Sequence, residues 1–233
     1  MTTETKSYRL LKWLLPAGLA LLSAGVYAHG IARSDQAFVQ GSSGMQLIPF
    51  IYLGAKHMVT GYDHLLFLAG VIFFLYRIKD VAVYVTLFAI GHSTTLLLGV
   101  LGGIHADPYL IDAVIGLSVV YKAFDNIDGF QQVFGFRPEA RTAVLFFGFF
   151  HGFGLSTKLQ EFSISADGLV ANMLAFNVGV EIGQLLALSI ILLFFNFWRI
   201  HGNFLHHAYT ANVLLMAAGF ILMGYQLTGY FML

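Results

Sequence analysis

The chain has 233 residues, of which 58% are hydrophobic and 10% charged, with a formal net charge of zero and no cysteine. Soluble domains carry roughly 25% charged residues, so this composition points to an integral membrane protein, and a neutral chain offers no electrostatic footprint for nucleic acid. The lack of cysteine excludes disulfides, thiolate metal sites and cysteine nucleophiles.

Residues 1–28 read as a signal segment. Lys6, Arg9 and Lys12 form a basic start, Leu14 to Val26 is an apolar core, and Val26-Tyr27-Ala28 offers a cleavage site after Ala28. An uncleaved signal anchor is the competing reading. Cleavage would make His29 the new terminus, and a terminal amine beside an imidazole can chelate copper; a loose polar end is the plainer reading. Residues 29–49, polar and containing Gly41-Ser-Ser-Gly44, read as an external loop.

Residues 50–233 read as an all-α, polytopic transmembrane helix bundle of about six mature spans. Phe50 to Tyr76 is too long for one crossing of about 20 residues. It is read as a half-helix through His57, a break near Gly61, and a full helix from Asp63 to Tyr76. The next spans are Val81 to Leu101, Tyr109 to Phe124, Ala143 to Leu155, Leu169 to Trp198, and Tyr209 to about Tyr230. No internal repeat is found. With the mature N-terminus outside, the inner loops hold Arg77, Lys79, Lys122, Arg137, Arg141 and Arg199, against Arg33, Lys56 and Lys158 outside, as the positive-inside rule requires. The expected location is a bacterial-type cytoplasmic (inner) membrane.

An acid at the centre of a membrane helix costs about 2.5–3.5 kcal/mol, so intramembrane ionisable residues are functional candidates. His57, Asp63 and His64 fall near the outer end of the first span. His92 falls past the middle of the second, His151 in the outer half of the fourth, and Glu181 near the middle of the fifth. At about 1.5 Å per residue all share the outer half of the bilayer. Imidazole nitrogens with a carboxylate suit Zn, Cu, Fe or Ni rather than Ca or Mg. His57 and His64 are seven residues apart, about 10 Å along an unbroken helix, so one ion takes both only if the chain breaks at Gly61. Asp63 either ligates directly or orients a neighbouring imidazole. Asn177, Glu181 and Gln184 form a polar stripe on the fifth span, and Ser93 sits beside His92.

Each candidate also has a plainer reading. His92 alone could be a helix–helix hydrogen bond, Glu181 a protonated acid, and Asp63-His64 a solvated pair. His105 reads as an ordinary loop residue, and His201, His206 and His207 as solvated loop histidines. Asp125, Asn126 and Asp128 read as the polar inner end of the third span. For the glycines around His151 and at Gly179 and Gly183, close helix packing is as good an explanation as function.

His57-x5-Asp63-His64 followed by Leu-Leu-Phe-Leu resembles the first signature of the HupE/UreJ family of membrane proteins. Gly91-His92-Ser93, Phe150-His151-Gly152-Phe-Gly, and Phe176-Asn177-Val-Gly-Val-Glu181-Ile-Gly-Gln184 resemble further segments of that family. The resemblance implies about six spans after a cleaved signal, nickel or cobalt uptake, and metal-binding or transport roles for His57, Asp63 and His64, with His151 matching the first histidine of the second signature. Nickel permeases of the family carry a second histidine and a glutamate soon after that glycine. Here Gly154-Leu155-Ser156 stands instead, with Glu181 as a substitute acid. The expected function is therefore a nickel or cobalt permease using His57, Asp63, His64, His92, His151 and Glu181, supported by Ser93, Asn177 and Gln184. The alternative is a zinc-dependent intramembrane hydrolase acting on a lipid or amide, with Ser93 or Ser156 near the metal. Expected partners are membrane lipid and the metal ion, with no nucleic acid; a homo-oligomer is compatible with either reading.

Overall fold

The structure is a computed structural model and describes residues 33–161 and 165–232. The signal segment at residues 1–28 and the proposed new terminus at His29 lie outside the described residues. Among the described residues there are helices and no strand. They are α1 (Arg33–Gly41), α2 (Leu47–Thr60), α3 (Tyr62–Ile72), α4 (Ile78–Gly102), α5 (Pro108–Asn126), α6 (Gly129–Phe134), α7 (Ala140–Gln160), α8 (Leu169–His201) and α9 (Phe204–Met232). Of these, α4, α8 and α9 are long and apolar enough to cross a membrane by length and composition.

The expected half-helix and break are present: α2 stops at Thr60, Gly61 is extended, and α3 begins at Tyr62. Several boundaries differ from expectation: α7 and α9 extend beyond the expected spans at both ends, so that His206 and His207, read as loop residues, lie in the first turn of α9, and two further differences bear on the site. Residues read as an external loop contain α1, tied to α2 by the Lys56–Asp35 ion pair at 2.8 Å. The expected helix to Tyr76 ends at Ile72. Its end is held by Arg199 of α8, whose guanidinium donates to the carbonyls of Phe73 and Leu75, the latter at 2.7 Å. The guanidinium also lies over the Tyr76 ring, 4.1 Å from its centroid. A cation on the last carbonyls opposes the negative end of the helix dipole, and only a fork of donors reaches two carbonyls at once.

Other helix ends carry ordinary local signals. Asp107 accepts from the backbone N–H of Leu110 and is followed by Pro108 in the first turn of α5. Glu139 accepts from the backbone N–H of Thr142 at 2.6 Å, a bond that holds its carboxyl below the usual carboxylate range.

Three closely packed pairs, α2 with α8, α4 with α7 and α5 with α9, make up most of the bundle. Hydrophobic burial does not discriminate between helices already in lipid, so small residues that let backbones approach decide these contacts. In the first pair a Cβ built on Gly179 would lie 1.9 Å from the carbonyl oxygen of Ile51, and one on Gly183 2.6 Å from that of Ala55. The register rises together on both helices, so α2 and α8 run parallel. In the second pair Gly148 lies against Phe88 and Gly152 against His92, again in parallel. In the third Gly116 meets Gly219 and Met223 while Gly229 meets Tyr109, which makes α5 and α9 antiparallel. The helix α3 sits among α5, α8 and α2.

Candidate metal centre

The break at Gly61 places the end of α2 against the start of α3. Gly61 donates its N–H to the carbonyl of His57 at 2.9 Å. A Cβ there would lie 2.8 Å from His64 Nδ1 and 3.3 Å from Asp63 Oδ1, so the small residue also leaves room for those side chains. The seven-residue separation is thereby folded back, and the His57 and His64 ring centroids lie 5.2 Å apart. An unbroken helix would have held them about 10 Å apart along its axis.

Asp63 acts on His64 rather than reaching outward. Its Oδ1 lies 2.9 Å from His64 Nδ1 and also accepts the His64 backbone N–H at 2.9 Å. A carboxylate on one ring nitrogen fixes the tautomer and leaves Nε2 as the donor atom. His92, from α4, is fully buried, with its ring centroid 6.0 Å from that of His64. One ligand atom from each of His57, His64 and His92 falls within 4.8 Å of the others. Nitrogens bound to one tetrahedral ion at about 2.1 Å stand roughly 3.4 Å apart, so the set is somewhat wider than a closed coordination sphere.

The donors are held where water is excluded. Both ring nitrogens of His92 and the Nε2 of His57 are buried without a hydrogen-bond partner among the described residues. Leaving a buried polar group unsatisfied costs about 1–3 kcal/mol, and a cation accepting those lone pairs offsets that cost. Phe88 supplies much of the apolar wall, with its ring 6.1 Å from His64, 6.0 Å from His92 and 5.0 Å from His151.

His151, from α7, adjoins His64 at 4.6 Å between centroids but stands outside the three-histidine group. Its Nε2 is 3.4 Å from Ser118 Oγ of α5, a hydroxyl that donates to the Ile115 carbonyl at 2.6 Å. Ser93 is half-buried beside His92. Ser156 is buried, its hydroxyl donating to the Phe153 carbonyl at 3.0 Å. His105 has the expected local role, its Nδ1 2.8 Å from the Gly103 carbonyl.

The stripe on α8 is divided. Gln184 is fully buried and Asn177 half-buried, whereas Glu181 is exposed on the outside of the bundle. The expected placement of Glu181 with the histidines is therefore corrected. Glu181 and Gln184 differ by three residues, about 60° around the helix, and that rotation is enough to turn one inward and the other out.

Sequence reasoning passed over Ser118 and a partly buried ion pair. Asp112 of α5 accepts from Lys158 of α7 at 2.9 Å and from Gln226 of α9 at 3.3 Å, tying three helices together. The rule that singled out Glu181 applied equally to Asp112, but its place one turn after Pro108 reads as a helix end near water. Asp112→Asn should lower stability by about 1.5–3 kcal/mol, because half-buried Lys158 loses a charge-assisted hydrogen bond and its counter-charge. The double variant Asp112→Asn/Lys158→Met should recover most of that loss. Thermal unfolding in detergent checks both, and a single variant that melts like wild type would remove the pair from the stability argument.

A family model described as HupE / UreJ protein matches residues 33–233. No curated protein and no solved structure matches the chain.

Proposed function

The chain belongs to the HupE/UreJ family, and we propose that it is a divalent transition-metal permease whose substrate is nickel or cobalt. The observation that carries this reading is the convergence of His57, His64 and His92, with ligand atoms within 4.8 Å of one another. Neutral imidazoles in a dry, phenylalanine-walled site select borderline transition ions over Mg or Ca, which need oxygen donors.

In this reading the protein lies in a bacterial-type cytoplasmic membrane with its mature N-terminus outside. The ion arrives from the outer side and exchanges water for the imidazoles of His57 and His64. Asp63 keeps the His64 ring oriented and basic. His92 completes a three-nitrogen set, and His151 stands next to it as the following ligand toward α7. No nucleotide-binding motif occurs in the sequence, so movement is driven by a gradient or by trapping inside. Lipid covers the exposed apolar faces of α8 and α9, where Leu186, Ile190, Leu193 and Ile221 lie.

Titrating the detergent-purified protein with nickel or cobalt, and measuring uptake of the same ions into liposomes, tests this. Saturable binding of about one ion per chain, with uptake that saturates over the same range, is the expected result. Absence of binding to any transition metal would overturn it. A stoichiometric zinc that survives purification would favour the hydrolase instead.

A further inference from the structure

Two side-chain amides on α8 are not used by the histidine site. Gln184 is fully buried, and neither its Oε1 nor its Nε2 has a hydrogen-bond partner among the described residues. The amide oxygen and nitrogen of Asn177 are buried in the same condition. Seven residues apart, they lie on one face of α8, about 10 Å from each other along the axis. That face is about 130° around the helix from Gly179 and Gly183, which are pressed against α2. The strip therefore does not run between the two tightly packed backbones.

The register of α2 against α8 fixes its height. Gly179 lies at Ile51 and Gly183 at Ala55, so Gln184 stands level with the turn of α2 that carries His57. Asn177 lies two turns back, toward the ends where both helices begin. The Phe176 ring is 6.0 Å from that of His57, which brings this stretch of α8 to the edge of the histidine cluster. Buried polar atoms without a hydrogen-bond partner among the described residues thus occur on Asn177 and Gln184 as well as at His57 Nε2 and both nitrogens of His92.

We propose that Asn177 and Gln184 form a transit strip that receives a divalent cation still carrying part of its water and passes it to the histidines. The inference rests on the permease reading. An amide oxygen accepts a hydrogen bond from metal-bound water or takes a place on the ion itself, and the amide N–H groups orient further water. Being uncharged, amides solvate the ion without the deep trap that a carboxylate would set, and a conducting site must release what it binds. The exposed placement of Glu181 keeps the neighbouring carboxylate off this strip.

The test uses Gln184→Leu and Asn177→Leu in the full chain, with Gln184→Met as a second shape-conserving variant. Nickel uptake into liposomes and equilibrium nickel binding are measured beside His64→Ala, and thermal unfolding confirms that each variant is folded. Uptake by the amide variants should fall about tenfold, the effect of one charge-assisted hydrogen bond lost along the path, while equilibrium affinity changes by less than about twofold. Unchanged uptake in folded Leu or Met variants overturns the transit strip and leaves the permease intact. Equal loss of uptake and affinity overturns it too, by making the amides part of the histidine site. If His64→Ala itself leaves nickel binding and uptake untouched, the permease reading fails, and the strip fails with it.

Discussion

Replacing His64 with alanine is expected to abolish saturable nickel or cobalt binding, a loss of about 100-fold or more, since even partners that only orient a ligand contribute 10–100-fold. His64 is the hub of the cluster. Its ring is the immediate neighbour of His57, His92 and His151. Removing it leaves imidazoles from α2 and α4 with no donor between them. Asp63→Asn should be milder, about 10–100-fold in affinity. The amide oxygen still accepts a hydrogen bond from Nδ1–H, so the ring stays in place, but the charge that makes the imidazole a stronger donor is gone. Asp63→Ala should be worse than Asp63→Asn, because the ring is then free to turn. Asp63 also stands in the first turn of α3, where a carboxylate favours the helix. Unfolding curves recorded beside the binding isotherms separate that effect from the loss of a ligand. Wild-type affinity in His64→Ala would refute the assignment of the centre.

Gly179→Ala is expected to be among the most damaging single-methyl additions in the chain. The new Cβ would lie 1.9 Å from the carbonyl oxygen of Ile51, and the obstacle is backbone rather than a side chain that can rotate. The two helices must separate. Overpacking a well-packed interface typically costs about 1–3 kcal/mol, and a clash with rigid backbone belongs at or above the top of that range. Since α2 carries His57, separation also pulls one ligand away, so the melting temperature and ion affinity should fall together. Gly54→Ala, 2.0 Å from the Phe176 carbonyl, should behave alike from the opposite side of the contact. Gly224→Ala is the contrast. Nothing lies within 4 Å of its Cβ position in α9, and exchanging a mid-helix glycine for alanine should stabilise by about 0.8–1.0 kcal/mol. Thermal unfolding of the three variants in one detergent decides the matter; a Gly179→Ala protein that melts like wild type would remove the glycine contact as the determinant of this pair.

Much of the architecture was legible because it depends on local chemistry. Apolar runs long enough to cross lipid must form helices, as no other open structure satisfies the backbone there. The break at Gly61 followed from a stretch too long for one crossing, with a glycine between two polar clusters. The histidines stood out because each is costly in its own segment. Asp112 and Lys158 did not stand out: each sits close enough to a helix end to read as solvated, and only their meeting between α5, α7 and α9 makes them a partly buried pair. Arg199, read as an inner-loop charge, lies in the last turns of α8, and nothing in its own segment indicates that it holds the end of α3, since the carbonyls it reaches are more than a hundred residues away.

By itself the sequence determined that the chain is a helical membrane protein of the HupE/UreJ family, with a broken first helix and costly histidines that need a common purpose. Tertiary structure alone decided which polar residues share that purpose. A helix that is apolar on all sides carries no amphipathic pattern to reveal which way it is turned. The rotation of α8 is set by Gly179 and Gly183 pressing onto the backbone of α2, a contact between distant segments. That contact turns Gln184 inward and Glu181 outward. In the same way, the approach of Gly152 to the carbonyl of His92 brings α4 and α7 together with their histidines on either side of His64.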